Sequence, residues 1–224
     1  MNDVDINEKV FEKIVSDDWG SEVNKVKKLM TFYHCALMEV ETKFKVISAE
    51  LSLNYDSNPI ESIKTRIKSV DGILKKLKKK GLDVTTDNIE NNIFDIAGVR
   101  VICSYEDEIY SLIESFLNQE DVYLVEIKDY IKNPKESGYR SVHLIIEIPI
   151  FLYNETKRVK VEIQFRTLAM DVWASLEHKI RYKKDLNDEK LKLINDTLLK
   201  CAELCKTVDY IMGDLKDISD DPDI

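Results

Sequence analysis

A chain of 224 residues that is 44% apolar, with only 6 Gly and 4 Pro, can bury a core and favours long regular elements over a loop-rich fold. Its apolar runs are short and interrupted, which leaves no membrane span, and the acidic start "NDVDINEKV" lacks the basic and apolar regions of a signal peptide. Four cysteines do not make a disulfide framework and a net charge of −9 disfavours a general nucleic-acid binder, so the expectation is a cytoplasmic, reduced protein.

Residues 1–55 read as an N-terminal helical segment. Phe11, Ile14 and Val15, then Val23, Val26, Leu29, Met30, Tyr33, Leu37, Val40, Phe44 and Ile47 recur at spacings of three and four. After the break "NYDSNP", residues 56–183 read as a mixed α/β core. Its first stretch, 60–81, admits two readings. As one helix, Ile63, Ile67, Val70, Leu74 and Leu77 form a stripe. As a strand followed by a helix, Lys64, Arg66 and Lys68 share one side, Ser69 caps the helix and Gly81 ends it. The second reading sets Arg66 and Lys68 beside a helix N-terminus, a ready anion site.

The same stretch carries eight Lys/Arg between Lys64 and Lys80 against one acid, Asp71, so it is +7 while the rest of the chain is −16. Such a concentration can focus a field on a small anion, or it can be a solvated helix face.

Four Val- and Ile-rich stretches read as strands: 99–104, 122–127, 142–150 and 158–166. A helix, "EDEIYSLIESFLNQ", lies between the first two, and the short link "FLYNETK" makes the last two a hairpin. In "RVKVEIQFR", Val159, Val161, Ile163 and Phe165 take one face and Arg158, Lys160, Glu162, Gln164 and Arg166 the other. Residues 184–224 form a C-terminal helical segment with an acidic tail expected to fray.

Two groups of residues point to chemistry. Asp95 and Arg100 stand at the entrance of one strand and Glu162 on another. Mg²⁺ is typically held by one or two carboxylates plus substrate phosphates, so a carboxylate pair from two strands suits metal–nucleotide chemistry. The loop "KDYIKNPKESGYR" sets Tyr139 among Lys128, Lys132, Lys135 and Arg140, which suits a base stacked on the ring and phosphates held nearby. His143 follows inside a strand, a common place for a hydrogen-bonded core histidine. Cys201 and Cys205, four apart on a helix with no third ligand nearby, read as structural. Trp173 reads as core.

Five ordered motifs, "RIKSVDGILKKL", "FDIAGVRV", "KDYIKNPKESGYRSVH", "VEIQFRT" and "MDVWASLEHKIRYK", resemble the synthetase domain of the RelA/SpoT family from about Ile60 to Lys183. Within it they are most similar to the stand-alone small alarmone synthetases of the RelQ type. The resemblance implies an α+β fold, a mixed nucleotidyltransferase-like sheet flanked by N- and C-terminal helices. It implies an enzyme, a GTP diphosphokinase that moves pyrophosphate from ATP to the 3′-hydroxyl of GDP or GTP, giving (p)ppGpp and AMP.

On that resemblance, Arg66 and Arg100 would sandwich the adenine and Lys68 and Lys76 would hold the ATP phosphates. Asp95 and Glu162 would bind Mg²⁺, with Glu162 also the base for the attacking hydroxyl. Tyr139 would stack on guanine, with Lys128, Lys135, His143 and Gln164 around the acceptor and Asp171 accepting from the base. Two positions depart from the family pattern: Gly72 where serine is common, and Asp171 where asparagine is frequent. None of His34, His143 and His178 is followed by Asp, and the hydrolase domain's His-Asp pair is missing, so a synthetase without hydrolase activity is expected. The resemblance also implies a homotetramer through the helical flanks. An allosteric guanine nucleotide or single-stranded RNA is a further partner it leaves open. The alternative reading is a catalytically inactive guanine-nucleotide- or RNA-binding protein of the same fold.

Overall fold

The computed structural model of the protein describes residues 20–54, 58–181 and 187–220. Phe11, Ile14 and Val15 lie outside them. The chain starts with a long helix, α1 (Gly20–Asn54), and the strand-then-helix reading holds for the next stretch: β1 (Ile60–Ile67) leads into α2 (Val70–Lys80). Ser69 Oγ accepts from the Gly72 amide, and Gly81 closes the helix in the left-handed region at φ 68°. The short α3 (Thr86–Asn92), for which the sequence made no expectation, is capped by Thr85. Then follow β2 (Ala97–Cys103), α4 (Glu106–Leu117), β3 (Tyr123–Asp129), β4 (Val142–Phe151), β5 (Thr156–Thr167), α5 (Leu168–Arg181) and α6 (Asp188–Asp220).

The five strands form one sheet in the order β1-β2-β5-β4-β3. Only the central pair, β2 and β5, is parallel. The β4–β5 hairpin is closed where the Leu152 amide donates to the Glu155 carbonyl at 2.8 Å.

One face of the sheet is the core. Val99, Val101, Leu144, Ile146, Ile148, Val159, Val161, Ile163 and Phe165 are buried on it, and α1 crosses it with Leu29, Tyr33, Leu37, Val40, Phe44 and Ile47, the spacing read from the sequence. Phe44 stacks on Phe116 of α4 at 4.5 Å and meets Phe165 edge-on at 5.7 Å.

The register decides what the opposite face carries. Lys64 pairs with Arg100, Arg100 with Gln164, Gln164 with His143 and His143 with Lys128. Opposed residues project to the same side of a sheet, so a single row of polar side chains crosses all five strands. Beside it runs a second row, Arg66–Gly98–Glu162.

α5 and α6 pack on each other through a smaller cluster of Trp173, Ala174, Leu198 and Ala202, with Tyr139 against it. Trp173 is core, as its place in the sequence suggests, and its indole donates to the Leu198 carbonyl at 2.9 Å. α6 runs through Asp220, and the remainder of the acidic tail, 221–224, lies outside the described residues. Lys216 pins its end to the start of α4 through Asp107 (2.8 Å) and Glu108 (3.4 Å), and lies 4.9 Å above the Tyr105 ring.

Candidate active site

The two expected carboxylates stand at the head of the sheet's polar face. Asp95 precedes β2, and its oxygens are held by Lys76 Nζ at 2.8 Å and Lys68 Nζ at 3.0 Å. The Lys68 amide donates to the Ile96 carbonyl, which ties the start of α2 to the same corner. Burial acts to raise the Asp95 pKa, but Lys76 and Lys68 together outweigh it and hold the carboxyl below the ordinary range.

The +7 segment therefore divides in two. Lys68 and Lys76 turn to the site and Lys64 to Asp171, while Lys75, Lys78, Lys79 and Lys80 are exposed. The last three sit in the final turn of α2, where cations suit the helix dipole.

Glu162 lies in the second row with its side chain 15% exposed. Gln164 Nε2 donates to Glu162 Oε2 at 2.9 Å, and His143 Nδ1 is 3.5 Å from Glu162 Oε1. Burial pushes this carboxyl up, but His143 and Gln164 bring it below the usual glutamate range, against an opposing push from Asp95. Two hard-oxygen groups that feel each other's charge, with lysines beside them for phosphate, fit Mg²⁺ sharing its shell with a polyphosphate substrate. Among the described residues no group of three or more His, Cys, Asp or Glu side chains could hold a metal ion by itself.

Next to Glu162 a cleft of about 210 Å³ is lined by Lys64, Thr65, Arg66, Gly98, Val99, Arg100, Glu162 and Gln164. Gly98 forms part of its lining, where a Cβ would make ordinary van der Waals contact with the Arg66 side chain at 3.5 Å. Arg66 and Arg100 thus flank one opening, as a planar base between two guanidinium groups requires. Burial, then the Arg166 charge, press the Arg100 pKa below that of a free guanidinium, with Asp171 acting in the opposite sense.

The Gly72 departure has a visible consequence. A Cβ at this position would stand 3.2 Å from Lys68 Cγ, so glycine gives the Lys68 stem its room. The Gly72 amide is engaged by Ser69 and is not a free phosphate donor.

The loop between β3 and β4 holds the remaining expected residues. It is laced by the Tyr130 amide to the Ser141 carbonyl (2.9 Å), Lys135 to Tyr139 (3.2 Å) and Gly138 to Lys135 (2.8 Å). Asp129 caps its start by accepting from the Ile131 and Lys132 amides at 2.9 Å. Gly138 has φ 86° and packs so closely on α6 that a Cβ would come within 2.5 Å of Ala202 Cβ.

Tyr139 is half-buried. Its hydroxyl is 2.8 Å from His143 Nε2, and Lys135 Nζ lies 4.9 Å from its ring centre and 4.5 Å from that of Tyr130. Lys128, exposed on the edge strand, pairs with Glu126 at 2.9 Å; Glu126 raises its pKa, and Glu162 acts in the same sense.

Two expected residues sit differently from the sequence reading. Arg140 does not join the basic rim of the loop. It is 8% exposed and turned inward, its Nη1 donating to Asp209 Oδ2 at 2.9 Å and its Nη2 to Glu106. Asp171, expected to accept from the acceptor base, is engaged on the β1–β2–β5 side by Arg100 (3.1 Å), Arg166 (2.9 Å) and Lys64 (3.2 Å). Burial raises its pKa, but these cations hold it below the ordinary aspartate range. Arg166, Tyr130 and Asp209 were not singled out as site residues. The alternation of β5 could have marked Arg166, but nothing local marks Asp209, which lies 69 residues from its partner Arg140.

A mixed sheet that sets paired carboxylates among lysines and arginines beside an open cleft is the framework of a polyphosphate-handling domain. The chain matches the model of the region found in RelA / SpoT proteins over residues 65–187, more than half its length, and belongs to that family. It is 46% identical over 204 residues to the GTP pyrophosphokinase YwaC of Bacillus subtilis, covering 91% of this chain and 93% of that one. It is 36% identical to the GTP pyrophosphokinase YjbM of the same organism, covering 85% and 88%. The crystal structure of B. subtilis small alarmone synthetase 1 bound to its product pppGpp superposes with a TM-score of 0.79 at 32% identity, covering 88% of this chain and 99% of that one.

Proposed function

We propose that this chain is a GTP pyrophosphokinase of the small alarmone synthetase class, moving the β,γ-pyrophosphate of ATP to the 3′-hydroxyl of GDP or GTP. The observation that carries the assignment is the joint presence of Asp95 and Glu162, with Lys68 and Lys76 on the first and the Arg66–Arg100 cleft beside the second. The 3′-oxygen forms a bond to the β-phosphorus of ATP, the bond from that phosphorus to the α,β-bridging oxygen breaks, and AMP leaves with the electron pair.

Each residue has a part in that transfer. Glu162 takes the hydroxyl proton; Lys68 and Lys76 leave Asp95 for the phosphates and offset the charge that develops on them. Arg66 and Arg100 hold the adenine. Asp95 and Glu162 would hold Mg²⁺, which when bound would supply charge neutralisation on the transferring group. Tyr139 presents its ring to guanine once Lys135 moves from the ring to the acceptor phosphates. Lys128, His143 and Gln164 complete that subsite, while Asp171 is engaged by Arg100, Arg166 and Lys64. Transfer of this kind depends on positioning and electrostatics more than on covalent help. Among the described residues no helix is long and apolar enough to cross a membrane.

The test is direct. Purified protein with γ-labelled ATP, Mg²⁺ and GDP or GTP is expected to move label into a more highly phosphorylated guanine nucleotide, with one AMP per transfer. Nucleotide binding without transfer would replace this reading with that of an inactive binding protein.

Self-association has its own support. Leu204, Val208, Ile211, Leu215 and Ile218 of α6 are exposed and spaced four, three, four and three apart, the pattern of a helix-pairing seam. A homo-oligomer, a tetramer by family resemblance, is expected in light scattering; a monomer mass would remove it.

A further inference from the structure

Arg166 has no part in the roles above, yet its side chain is only 6% exposed, on the strand that carries Glu162 and Gln164. Its donors go in two directions. Nη1 donates to Asp171 Oδ1 at 2.9 Å, and that same oxygen accepts from Arg100 Nη1 at 3.1 Å. Nη2 donates to the Tyr139 hydroxyl at 2.9 Å and to Gln164 Oε1 at 3.0 Å, and the guanidinium carbon lies 5.2 Å from the centre of the Tyr139 ring.

Beyond each partner the chain continues. The Tyr139 hydroxyl reaches His143, and His143 reaches Glu162; Gln164 also donates to Glu162. Arg166 thus stands between the arginine that flanks the cleft and the tyrosine of the acceptor loop. It does not line the cleft itself.

Such a place is costly to fill. A buried guanidinium is tolerated only when its donors are matched, and both Arg166 Nε and Arg100 Nε are buried without a partner among the described residues. One carboxylate, Asp171, also has to serve three cations. If anchoring the start of α5 were the only task, an apolar residue would do it at lower cost. The planar fork is what permits both contacts at once; a lysine ammonium in the same place cannot span Asp171 and Tyr139.

We propose that Arg166 is a positioning residue that couples the two nucleotide subsites, fixing Tyr139 for the acceptor and, through Asp171, Arg100 for ATP. The assignment rests on the subsites given under the proposed function.

The test uses the full chain as Arg166→Lys, Asp171→Asn and Tyr139→Phe, and as the three pairwise doubles. Initial rates are measured with ATP and GDP each varied, and calorimetry follows binding of GDP and of a non-hydrolysable ATP analogue. Arg166→Lys is expected to raise both KM values about tenfold, the loss of one charge-assisted hydrogen bond on each side. Asp171→Asn raises mainly the ATP value and Tyr139→Phe mainly the GDP value, and neither adds its full effect to Arg166→Lys. A folded Arg166→Lys enzyme that shifts only one KM or neither, or whose effects multiply with those of its partners, overturns the coupling while leaving the activity assigned. Wild-type protein that binds neither nucleotide overturns the subsites and the Arg166 role together. If Arg166→Lys does not fold, the Asp171→Asn/Tyr139→Phe double decides: a combined effect equal to the product of the singles removes the coupling.

Discussion

Glu162→Gln is expected to lower kcat by at least about 10³-fold while ATP and GDP still bind. The substitution keeps the side-chain volume and an oxygen that can accept from Gln164 Nε2, now at 2.9 Å. What is lost is the negative charge, and with it the proton acceptor and the Mg²⁺ oxygen that the proposed function assigns to Glu162. The wild-type pH profile follows from the same surroundings. His143 and Gln164 hold Glu162 below the ordinary glutamate pKa of about 4.3, so it is ionised across the neutral range. At saturating nucleotide its protonation lowers the rate only below that ordinary value. Asp95 and Asp171 are depressed as well, so all three favour the folded state above the carboxylate range, and that contribution is lost as pH falls through their folded-state values. Steady-state rates with calorimetry check the substitution. A variant retaining a tenth of the activity, or one that no longer binds nucleotide, would remove Glu162 from the role of base.

The elements carrying this site were legible where one period dominated. The 3.6-residue stripe of α1 from Leu29 to Ile47 and the alternation of β5 from Arg158 to Arg166 both survive in the fold. The stretch 60–81 was ambiguous because Ile63, Ile67, Val70, Leu74 and Leu77 fit a helix as well as a strand with a helix behind it. Long-range pairing decided it, since β1 gains a full antiparallel ladder on β2. The chemistry was legible as residue types and order, because charges on strands that belong to one sheet must meet on one face. Which charge meets which was not legible. Arg140 reads as one more cation beside Tyr139, and only the packing of α6 shows that it faces Asp209. Asp171 reads as free to bind a base, yet Arg100 and Arg166 engage its Oδ1 and Lys64 its Oδ2.

Arg140→Ala shows what that hidden pair does for the loop. It is expected to cost about 3 kcal/mol at pH 8, the order of magnitude for removing one partner of a buried ion pair. The loss is uneven across its two acceptors. Glu106 is 39% exposed and returns to water, whereas Asp209, 6% exposed, is left with Thr167 for company. Burial already pushes the Asp209 carboxyl above the ordinary range, against the lowering effects of Thr167 and Arg140, and removing Arg140 lets it rise further. An acid whose pKa is raised in the folded state binds its proton more tightly there than when unfolded. Stability is therefore recovered as pH falls through that pKa towards the unfolded-state value, and lost as pH rises back through it. The deficit of Arg140→Ala against wild type should shrink as pH falls from about 8 to about 4, close to the free aspartate pKa of about 3.9, in denaturant titrations. Asp209→Asn is the matched control, because its amide oxygen still accepts from Arg140 and carries no charge to bury. It is expected to cost under about 1 kcal/mol with little pH dependence of its own. A deficit for Arg140→Ala that stays the same at both pH values would mean that Asp209 remains charged without its partner. The hold of α6 on the Tyr139 loop would then lie in the Gly138–Ala202 packing rather than in the ion pair.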